Sequence, residues 1–293
     1  ELGGTTTGIE VDLNLGQARD SFGDTDTLIS IEDIRGSSFA DIITGDGGDN
    51  KFLGLAGDDR LNGGDGWDEV RYNQDSVFGG TAAITIDLVA GTITDGFGHT
   101  DTVTGIESFV ATHANDTIHG SAESDQSFIA IGGDDPIAGG GGNDRVDYSR
   151  DADHGGTAGV RVDFAAGTAT DGFGDTDTLT SIERVWGTLS DDVFTGSAGT
   201  DERFAGFAGH DTIDGGAGGY DVVRYDFNYV HGASSGVAVY LNGGWASDGF
   251  GTTDTISNIN RVFGSHFGDT LTGAQDLPWQ SFVGMAGDDT LEG

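Results

Sequence analysis

Apolar residues recur along the chain at short, regular intervals. Four runs alternate apolar and polar positions, which is the period of a half-buried strand. These runs are residues 9–13, 84–88, 160–164 and 237–241. Elsewhere a period of nine places six turn-forming positions before three residues whose middle side chain is apolar. The first such middle residues are Ile43, Phe52, Leu61 and Val70. The pattern predicts short strands and tight turns.

A longer repeat organises these elements. The phrase D-x-F-G-x-T-D-T occurs at residues 20–27, 95–102, 171–178 and 248–255, and its final aspartates are 75, 76 and 77 positions apart. We therefore predict four units of about 76 residues, namely 1–79, 80–155, 156–235 and a truncated 236–293. One inward side chain per nonapeptide gives a very small coil, so the coils must stack to form a core. The array is cut at both ends, so we expect a fragment of a longer protein.

Two further sets of segments complete each unit. The segments 31–34, 106–109, 182–185 and 259–262 follow the four phrases and space two apolar residues three apart. Four residues are too short to hold a helix, so we predict a strand and a turn there as well. The polar stretches 73–80 and 149–159 are predicted to be linkers or loops.

The charge of the chain narrows the class of protein. Its 293 residues include 50 Asp and Glu against 12 Lys and Arg, giving a formal charge of −38, with 54 Gly and no Cys. The acids are 41 Asp and only 9 Glu, a composition typical of tight turns. Such a charge repels phosphate backbones, which excludes nucleic acid as a partner. No apolar run reaches the roughly 18 residues of a transmembrane segment.

The nonapeptides follow the pattern G-G-x-G-x-D-x-U-x, where U is apolar. The best copies are residues 54–61, 63–70, 139–146 and 284–291. They resemble the RTX (repeats-in-toxin, hemolysin-type) nonapeptides of secreted Gram-negative proteins. The resemblance implies an all-β fold, a parallel β-roll or β-solenoid in which two nonapeptides complete one turn. It also implies that several calcium ions lie between turns, held by turn carbonyls and by the sixth-position Asp of nonapeptides two apart.

Carrying that rule over by position gives one ligand pair per unit on one edge of the roll. The pairs are Asp41 with Asp59, Asp116 with Asp135, Asp192 with Asp211, and Asp269 with Asp289. Ca²⁺ takes six to eight oxygen ligands, and glycine-rich turns expose carbonyls that can supply several of them.

The opposite edge is predicted to be degenerate, with weak or absent sites. Asn50 stands opposite Asp68, which replaces a carboxylate by an amide. Opposite Asp144 and Asp221 the count slips by one residue, offering residues 125–126 and 201–202. Residues 274–281 lack glycine at the turn positions altogether.

The aspartates of the D-x-F-G-x-T-D-T phrase leave two interpretations open. They are Asp20, Asp26, Asp95, Asp101, Asp171, Asp177, Asp248 and Asp254. They could form further calcium loops or simply cap turns, and capping is favoured because His99 and Thr252 replace the middle Asp in two copies. A solvated face is expected for Glu107 and its counterparts.

These observations predict a calcium-dependent extracellular segment that folds when Ca²⁺ neutralises its carboxylates. By resemblance, it would leave the cell unfolded through a type I secretion channel and serve as a stalk, adhesin or surface-layer element. The alternative is a calcium-binding accessory domain of a secreted protease, lipase, or polysaccharide epimerase or lyase. No catalytic residue and no cofactor besides Ca²⁺ is expected in this segment. Cell-surface polysaccharide and neighbouring protein subunits are the candidate partners.

Overall fold

The computed structural model describes residues 7–122, 124–275 and 279–293, and nearly every regular element in them is a three-residue strand. Residues 1–144 and 145–293 form two compact units. The predicted all-β fold is confirmed. Within the described residues, no helix has the length and apolar character needed to cross a membrane.

The described residues of the first unit form fifteen strands. They are β1 (Glu10–Asp12), β2 (Gln17–Arg19), β3 (Thr25–Thr27), β4 (Asp33–Arg35), β5 (Ile42–Thr44), β6 (Lys51–Leu53), β7 (Arg60–Asn62), β8 (Glu69–Arg71), β9 (Thr85–Asp87), β10 (Thr92–Thr94), β11 (Thr100–Thr104), β12 (Ser108–Val110), β13 (Thr117–His119), β14 (Ser127–Ile129) and β15 (Pro136–Ala138). Its described helix is α1 (Asp75–Phe78).

The second unit repeats this order. Its strands are β16 (Arg145–Asp147), β17 (Arg161–Asp163), β18 (Thr168–Thr170), β19 (Thr176–Thr180), β20 (Arg184–Trp186), β21 (Val193–Thr195), β22 (Arg203–Ala205), β23 (Thr212–Asp214), β24 (Val222–Arg224), β25 (Ala238–Tyr240), β26 (Trp245–Ser247), β27 (Thr253–Ser257), β28 (Arg261–Phe263), β29 (Thr270–Thr272), β30 (Ser281–Val283) and β31 (Thr290–Glu292). Its helices are α2 (Asp151–His154) and the 3₁₀ turns Asn228–His231 and Leu241–Gly243.

Each unit is built from two facing sheets that the chain visits alternately. In the first unit, β4, β6, β8, β12 and β14 pair in parallel in one sheet, and β5, β7 and β11 in the other. In the second unit, β16, β20, β22, β24, β28 and β30 form the first sheet, and β21, β23 and β27 belong to the second. This alternation between parallel sheets is the architecture of a β-roll.

The core consists mainly of the middle side chains of the three-residue strands. Ile43, Phe52, Leu61 and Val70 are all buried, as the nonapeptide pattern predicts. Because side chains alternate across a strand, the two flanking residues of each three-residue strand point outward. A single apolar residue per strand is therefore enough to fill the narrow space between the sheets.

A three-stranded antiparallel insertion interrupts the nonapeptides. Strands β9, β10 and β11 form a meander inside one sheet, between β7 and β13. On the facing sheet β8 pairs directly with β12, so the meander adds strands to one sheet only. Strands β1 to β3, β17 to β19 and β25 to β27 repeat the meander. The alternating runs supply its first strand and the D-x-F-G-x-T-D-T phrase its second turn. The meanders β9 to β11, β17 to β19 and β25 to β27, each with the helical turn before it, are called the first, second and third insertions.

The stretches predicted as linkers contain short helical turns. Residues 73–80 hold α1 and residues 149–159 hold α2, each ending at a glycine with a φ of 106°. This left-handed conformation is open to glycine without steric penalty, which lets the chain reverse toward the meander. Of the predicted glycine-free stretch 274–281, residues 276–278 lie outside the described residues.

Candidate metal centres

The four predicted aspartate pairs are brought together. In each, the backbone N–H of the first aspartate donates a hydrogen bond to Oδ1 of the second. The N···O distances are 2.8 Å for Asp41 to Asp59, 2.7 Å for Asp116 to Asp135, 2.9 Å for Asp192 to Asp211, and 3.0 Å for Asp269 to Asp289. The second carboxylate of every pair thus spans two successive turns of the roll.

The opposite edge makes the same backbone N–H to Oδ1 contact, but the residue that donates the N–H is not an aspartate. Asn50, Gln126 and Glu202 donate their N–H to Oδ1 of Asp68, Asp144 and Asp221, at 2.7, 2.8 and 3.0 Å. The slip in the sequence count is therefore resolved in favour of Gln126 and Glu202. Each turn on this edge presents one aspartate opposite an amide or a glutamate, as a degenerate edge requires.

The first aspartate of each pair is satisfied by the protein itself. Asp41 accepts the N–H of Ile9 at its Oδ1 and the N–H of Ser37 at its Oδ2, both at 2.6 Å. The same double contact recurs at Asp116, Asp192 and Asp269. These carboxylates hold the first strand of each meander against the roll through both of their oxygens.

The second aspartate is left with an oxygen that the protein does not satisfy. Oδ2 of Asp59 and Asp211 on one edge, and of Asp68 and Asp221 on the other, is buried and has no hydrogen-bond partner. A buried carboxylate oxygen without a partner is destabilising. The structure therefore separates the predicted ligands into turn-capping aspartates and aspartates with a vacant acceptor.

The turns around these acceptors have unusual backbone conformations. Leu55 and Gly57, in the turn before Asp59, have φ values of 67° and 140°. Ile131, Phe207 and Met285 take the place of Leu55 with φ values of 73°, 66° and 65°. Large side chains rarely adopt this left-handed region, and such strain is concentrated at functional sites.

A glycine leaves room beside each vacant oxygen. A Cβ atom on Gly54 would lie 2.4 Å from Oδ2 of Asp59, and one on Gly206 would lie 2.0 Å from Oδ2 of Asp211. On the other edge, a Cβ on Gly63 would lie 2.3 Å from Oδ2 of Asp68. The acceptor thus points across the concave side of its own turn, where only a residue without a side chain fits.

The carboxylates raise one another's pKa. Burial raises the pKa of Asp59 from 3.8 to about 8, and the negative charges of Asp101 and Asp41 add to the effect. The pKa of Asp211 is raised to about 9 by burial and by Asp192 and Asp254. No cationic side chain is among the causes for either residue. A site that favours neutral acids in this way gains strongly from a bound cation.

The phrase aspartates divide by position. The first caps its own turn: Oδ1 of Asp95 accepts the N–H of Phe97 and His99 at 2.9 and 2.7 Å. Asp20, Asp171 and Asp248 make the equivalent bonds. Each of these four residues therefore caps its own turn through Oδ1.

The final aspartate continues the column of the nonapeptides. Oδ1 of Asp101 accepts the N–H of Asp59 at 2.9 Å, and Oδ1 of Asp254 accepts that of Asp211 at 3.2 Å. A buried tyrosine hydroxyl donates to the other oxygen of Asp101, Asp177 and Asp254, at 2.8, 2.7 and 3.0 Å. By contrast, Asp26 is exposed on β3 and lies in no comparable site.

Sequence reasoning missed two sets of residues. Glu107 was expected on a solvated face, but its Oε2 accepts the N–H of Asp68 at 3.0 Å and continues the second column. Asp75 and Asp151, at the starts of α1 and α2, are buried although they lie in stretches predicted to be loops. The only signal for them was their position three residues after Tyr72 and Tyr148.

The donor set fits calcium. No group of three His, Cys, Asp or Glu side chains converges on one point among the described residues. A hard cation that accepts backbone carbonyls together with one or two carboxylates suits these turns.

Fold and turns define the class of the protein, a parallel β-roll with calcium-type glycine-aspartate turns. Comparison with known families places it further. The RTX calcium-binding nonapeptide repeat family matches residues 31–59, 44–81, 131–154, 180–206 and 186–220. The chain therefore carries RTX calcium-binding nonapeptide repeats. The search of curated proteins found no match to the chain.

A side chain on Gly54 should disable the centre at Asp59. We expect Gly54→Ala to weaken calcium-dependent folding of the first unit, since the added Cβ overlaps Oδ2 and overpacking costs about 1–3 kcal/mol. Gly47→Ala is the matched control, because a Cβ there meets nothing within 4 Å. Thermal unfolding in calcium measures both. Equal unfolding midpoints for the two variants would show that the space beside Oδ2 of Asp59 does not matter.

The calcium-free fold should be most stable in acid. The folded state holds protons on Asp59 and Asp211 up to a pH of about 8 to 9, whereas the unfolded chain releases them near 3.8. The stabilisation is therefore present below pH 4 and is lost as the pH rises through 8. Circular dichroism in chelator should show β-structure declining over that interval. A calcium-free fold that grows more stable between pH 5 and 8 would contradict this.

Proposed function

We propose that the chain is a calcium-dependent structural segment that works outside the cell, folding when Ca²⁺ fills its turns. The observation that carries this proposal is the recurrence of buried aspartate oxygens with no protein partner at one turn position. Each bound ion removes two net negative charges and joins neighbouring turns. Its binding free energy then becomes folding free energy.

The charge of the chain supports an external site of action. At −38, the calcium-free chain repels itself and is expected to be expanded. Calcium sites of extracellular modules typically have dissociation constants of about 10⁻⁴–10⁻³ M. Such sites stay empty where free calcium is scarce and fill outside the cell. RTX repeats are typical of extracellular proteins, which agrees with this order of events.

Within this proposal, the chain serves as a stalk, an adhesin or a surface-layer element. The alternative, an accessory domain of a secreted enzyme, uses the same calcium-driven folding and places the catalytic residues elsewhere. We favour the structural role because the order of strands and meanders recurs along the chain with little change from one copy to the next.

Calcium titration followed by circular dichroism tests the proposal. We expect little β-structure in excess chelator at neutral pH and a cooperative gain as Ca²⁺ reaches about 10⁻⁴–10⁻³ M. Mg²⁺, which requires a smaller octahedral site, should be a poor substitute. Full β-structure in chelator at pH 7, unchanged by Ca²⁺, would overturn the proposal.

Paired variants assign the effect to the vacant acceptors. Asp59→Asn and Asp211→Asn should raise the calcium concentration at the folding midpoint. Asp65→Asn removes the same charge from an exposed position and should leave the midpoint almost unchanged. If all three variants shifted the midpoint equally, general charge rather than these turns would drive folding.

A second candidate function, binding of an acidic polysaccharide, is favoured by one surface of the second unit. Arg145, Arg184, Arg203 and Arg261 stand in one column on successive or nearby strands of one sheet, at the outward positions. Arg224 lies in the adjacent column. Five of the 12 basic residues of a strongly acidic chain thus share one face.

Aromatic rings line the same face. The guanidinium of Arg145 lies 3.6 Å from the centre of the Trp186 ring, and those of Arg224 and Arg261 lie 4.7 and 4.4 Å from the centre of the Phe263 ring. The guanidinium groups are positioned by stacking on aromatic faces. Arg145 and Arg224 are also ion-paired with Asp147 and Asp226. A linear polymer of carboxylates would therefore bind this face by competing with these aspartates for the guanidinium groups.

A short oligouronate tests this second function. With calcium saturating, the chain should bind it in a salt-sensitive manner and ignore a neutral glucan of equal length. Arg184→Gln with Arg203→Gln should weaken binding by roughly tenfold or more. Arg161→Gln, an exposed change on β17 of the other sheet, is the control. Binding unaffected by the double variant would exclude this face.

A further inference from the structure

The helical turns and meanders meet at buried aspartates that the nonapeptide scheme does not use. Asp75 begins α1, and Asp95 begins the turn between β10 and β11 in the first insertion. They are 1% and 0% exposed. Asp151 and Asp171 occupy the same places in the second insertion and are each 1% exposed. Four fully buried carboxylates therefore lie outside the glycine-rich turns.

Within each insertion the two aspartates are neighbours. The N–H of Gly96, next to Asp95, donates to Oδ2 of Asp75 at 3.0 Å. The N–H of Gly172 donates to Oδ2 of Asp151 at 2.8 Å in the same way. In each pair the negative charge of the phrase aspartate contributes to raising the pKa of the helix aspartate. The helix aspartate of each pair is thus hydrogen-bonded to the residue that directly follows the phrase aspartate.

Each of these four side chains keeps one oxygen without a hydrogen-bond partner. These atoms are Oδ1 of Asp75 and Asp151 and Oδ2 of Asp95 and Asp171. The other oxygens already cap backbone N–H groups. In the first insertion, Nδ1 of His99 lies 3.5 Å from Oδ2 of Asp95. In the second insertion the residue in its place is Asp175, so no imidazole is available there.

In the third insertion a neutral residue occupies the position of the helix aspartate. Asn228 replaces the helix aspartate, and its Nδ2 donates to the carbonyl of Asp248 at 2.7 Å. The hydroxyl of Thr252 donates to Oδ2 of Asp248, the oxygen that is left open in Asp95 and Asp171. Where one carboxylate is missing, the chain thus supplies a proton donor to the other. Oδ1 of Asn228 has no hydrogen-bond partner, as in Asp75 and Asp151, so the contrast between the insertions lies in Oδ2 of the phrase aspartate. That oxygen has a hydroxyl donor in the third insertion and no hydrogen-bond donor in the first two.

We propose that the pairs Asp75–Asp95 and Asp151–Asp171 each bind one divalent, oxygen-preferring cation, Ca²⁺, in a site separate from the nonapeptide turns. Two carboxylates balance its charge. The carbonyls of Gly80 and Ala158 lie close to these pairs, since each lies 3.2 Å from the position of a Cβ on Gly96 and Gly172. The ion clips the helical turn onto the meander, so the insertion closes only in calcium. This goes beyond the proposed function, which concerns the roll itself.

Counting bound calcium tests the proposal. Equilibrium dialysis of the full chain against saturating CaCl₂ should find about one ion fewer for Asp75→Asn, one fewer for Asp151→Asn and two fewer for the double variant. Folding is expected to survive, because Asn228 already occupies the equivalent place in the third insertion. Asp153→Asn, an exposed change on α2, should leave the count unchanged.

The outcomes separate the two claims. An unchanged ion count in the double variant, with folding still dependent on calcium, would overturn the insertion sites and leave the calcium-driven roll intact. A chain that binds no calcium at all would overturn both. Loss of two ions with little change in the folding midpoint of the roll would support the insertion sites as independent centres.

Discussion

The structure depends on carboxylates that are buried in columns without cations beside them. One oxygen of each second aspartate is satisfied by an N–H of the adjacent turn, as Asp59 is by Asp41. That contact sets the register between turns, but it also brings the negative charges close together, and burial then holds the pKa of Asp59 and Asp211 at about 8 and 9. The bond that aligns the turns therefore creates the need for a cation.

The meanders keep the columns continuous where nonapeptides are absent. Asp101 and Asp254 stand at the end of a hairpin turn, yet each accepts the N–H that the next nonapeptide aspartate would otherwise accept. The buried tyrosine that closes the repeat holds the second oxygen of the same residue. A meander thus takes the place of a nonapeptide turn in the column, and its aspartate accepts a hydrogen bond from a tyrosine hydroxyl.

Periodicity was sufficient to predict the strands, because one buried residue such as Phe52 or Leu61 every nine positions admits few other arrangements. The edge pairs also followed from counting. The difference between Asp41 and Asp59 did not, since it arises from N–H groups 32 positions away in sequence, such as that of Ile9. Asp75 was missed for a similar reason, because its burial depends on the meander that folds over α1.

The number of aspartates is therefore a poor guide to the number of ions. Both oxygens of Asp41 and its three counterparts accept backbone N–H groups. Asp101 accepts the N–H of Asp59 at one oxygen and the Tyr72 hydroxyl at the other. Carboxylates that accept hydrogen bonds at both oxygens hold strands together. Carboxylates with one unpartnered buried oxygen lie at the glycine-lined turns. Because the second group is destabilising without a cation, the calcium-free chain gains little from folding the first. Both groups then order together, which makes a sharp transition the natural response of this sequence to calcium.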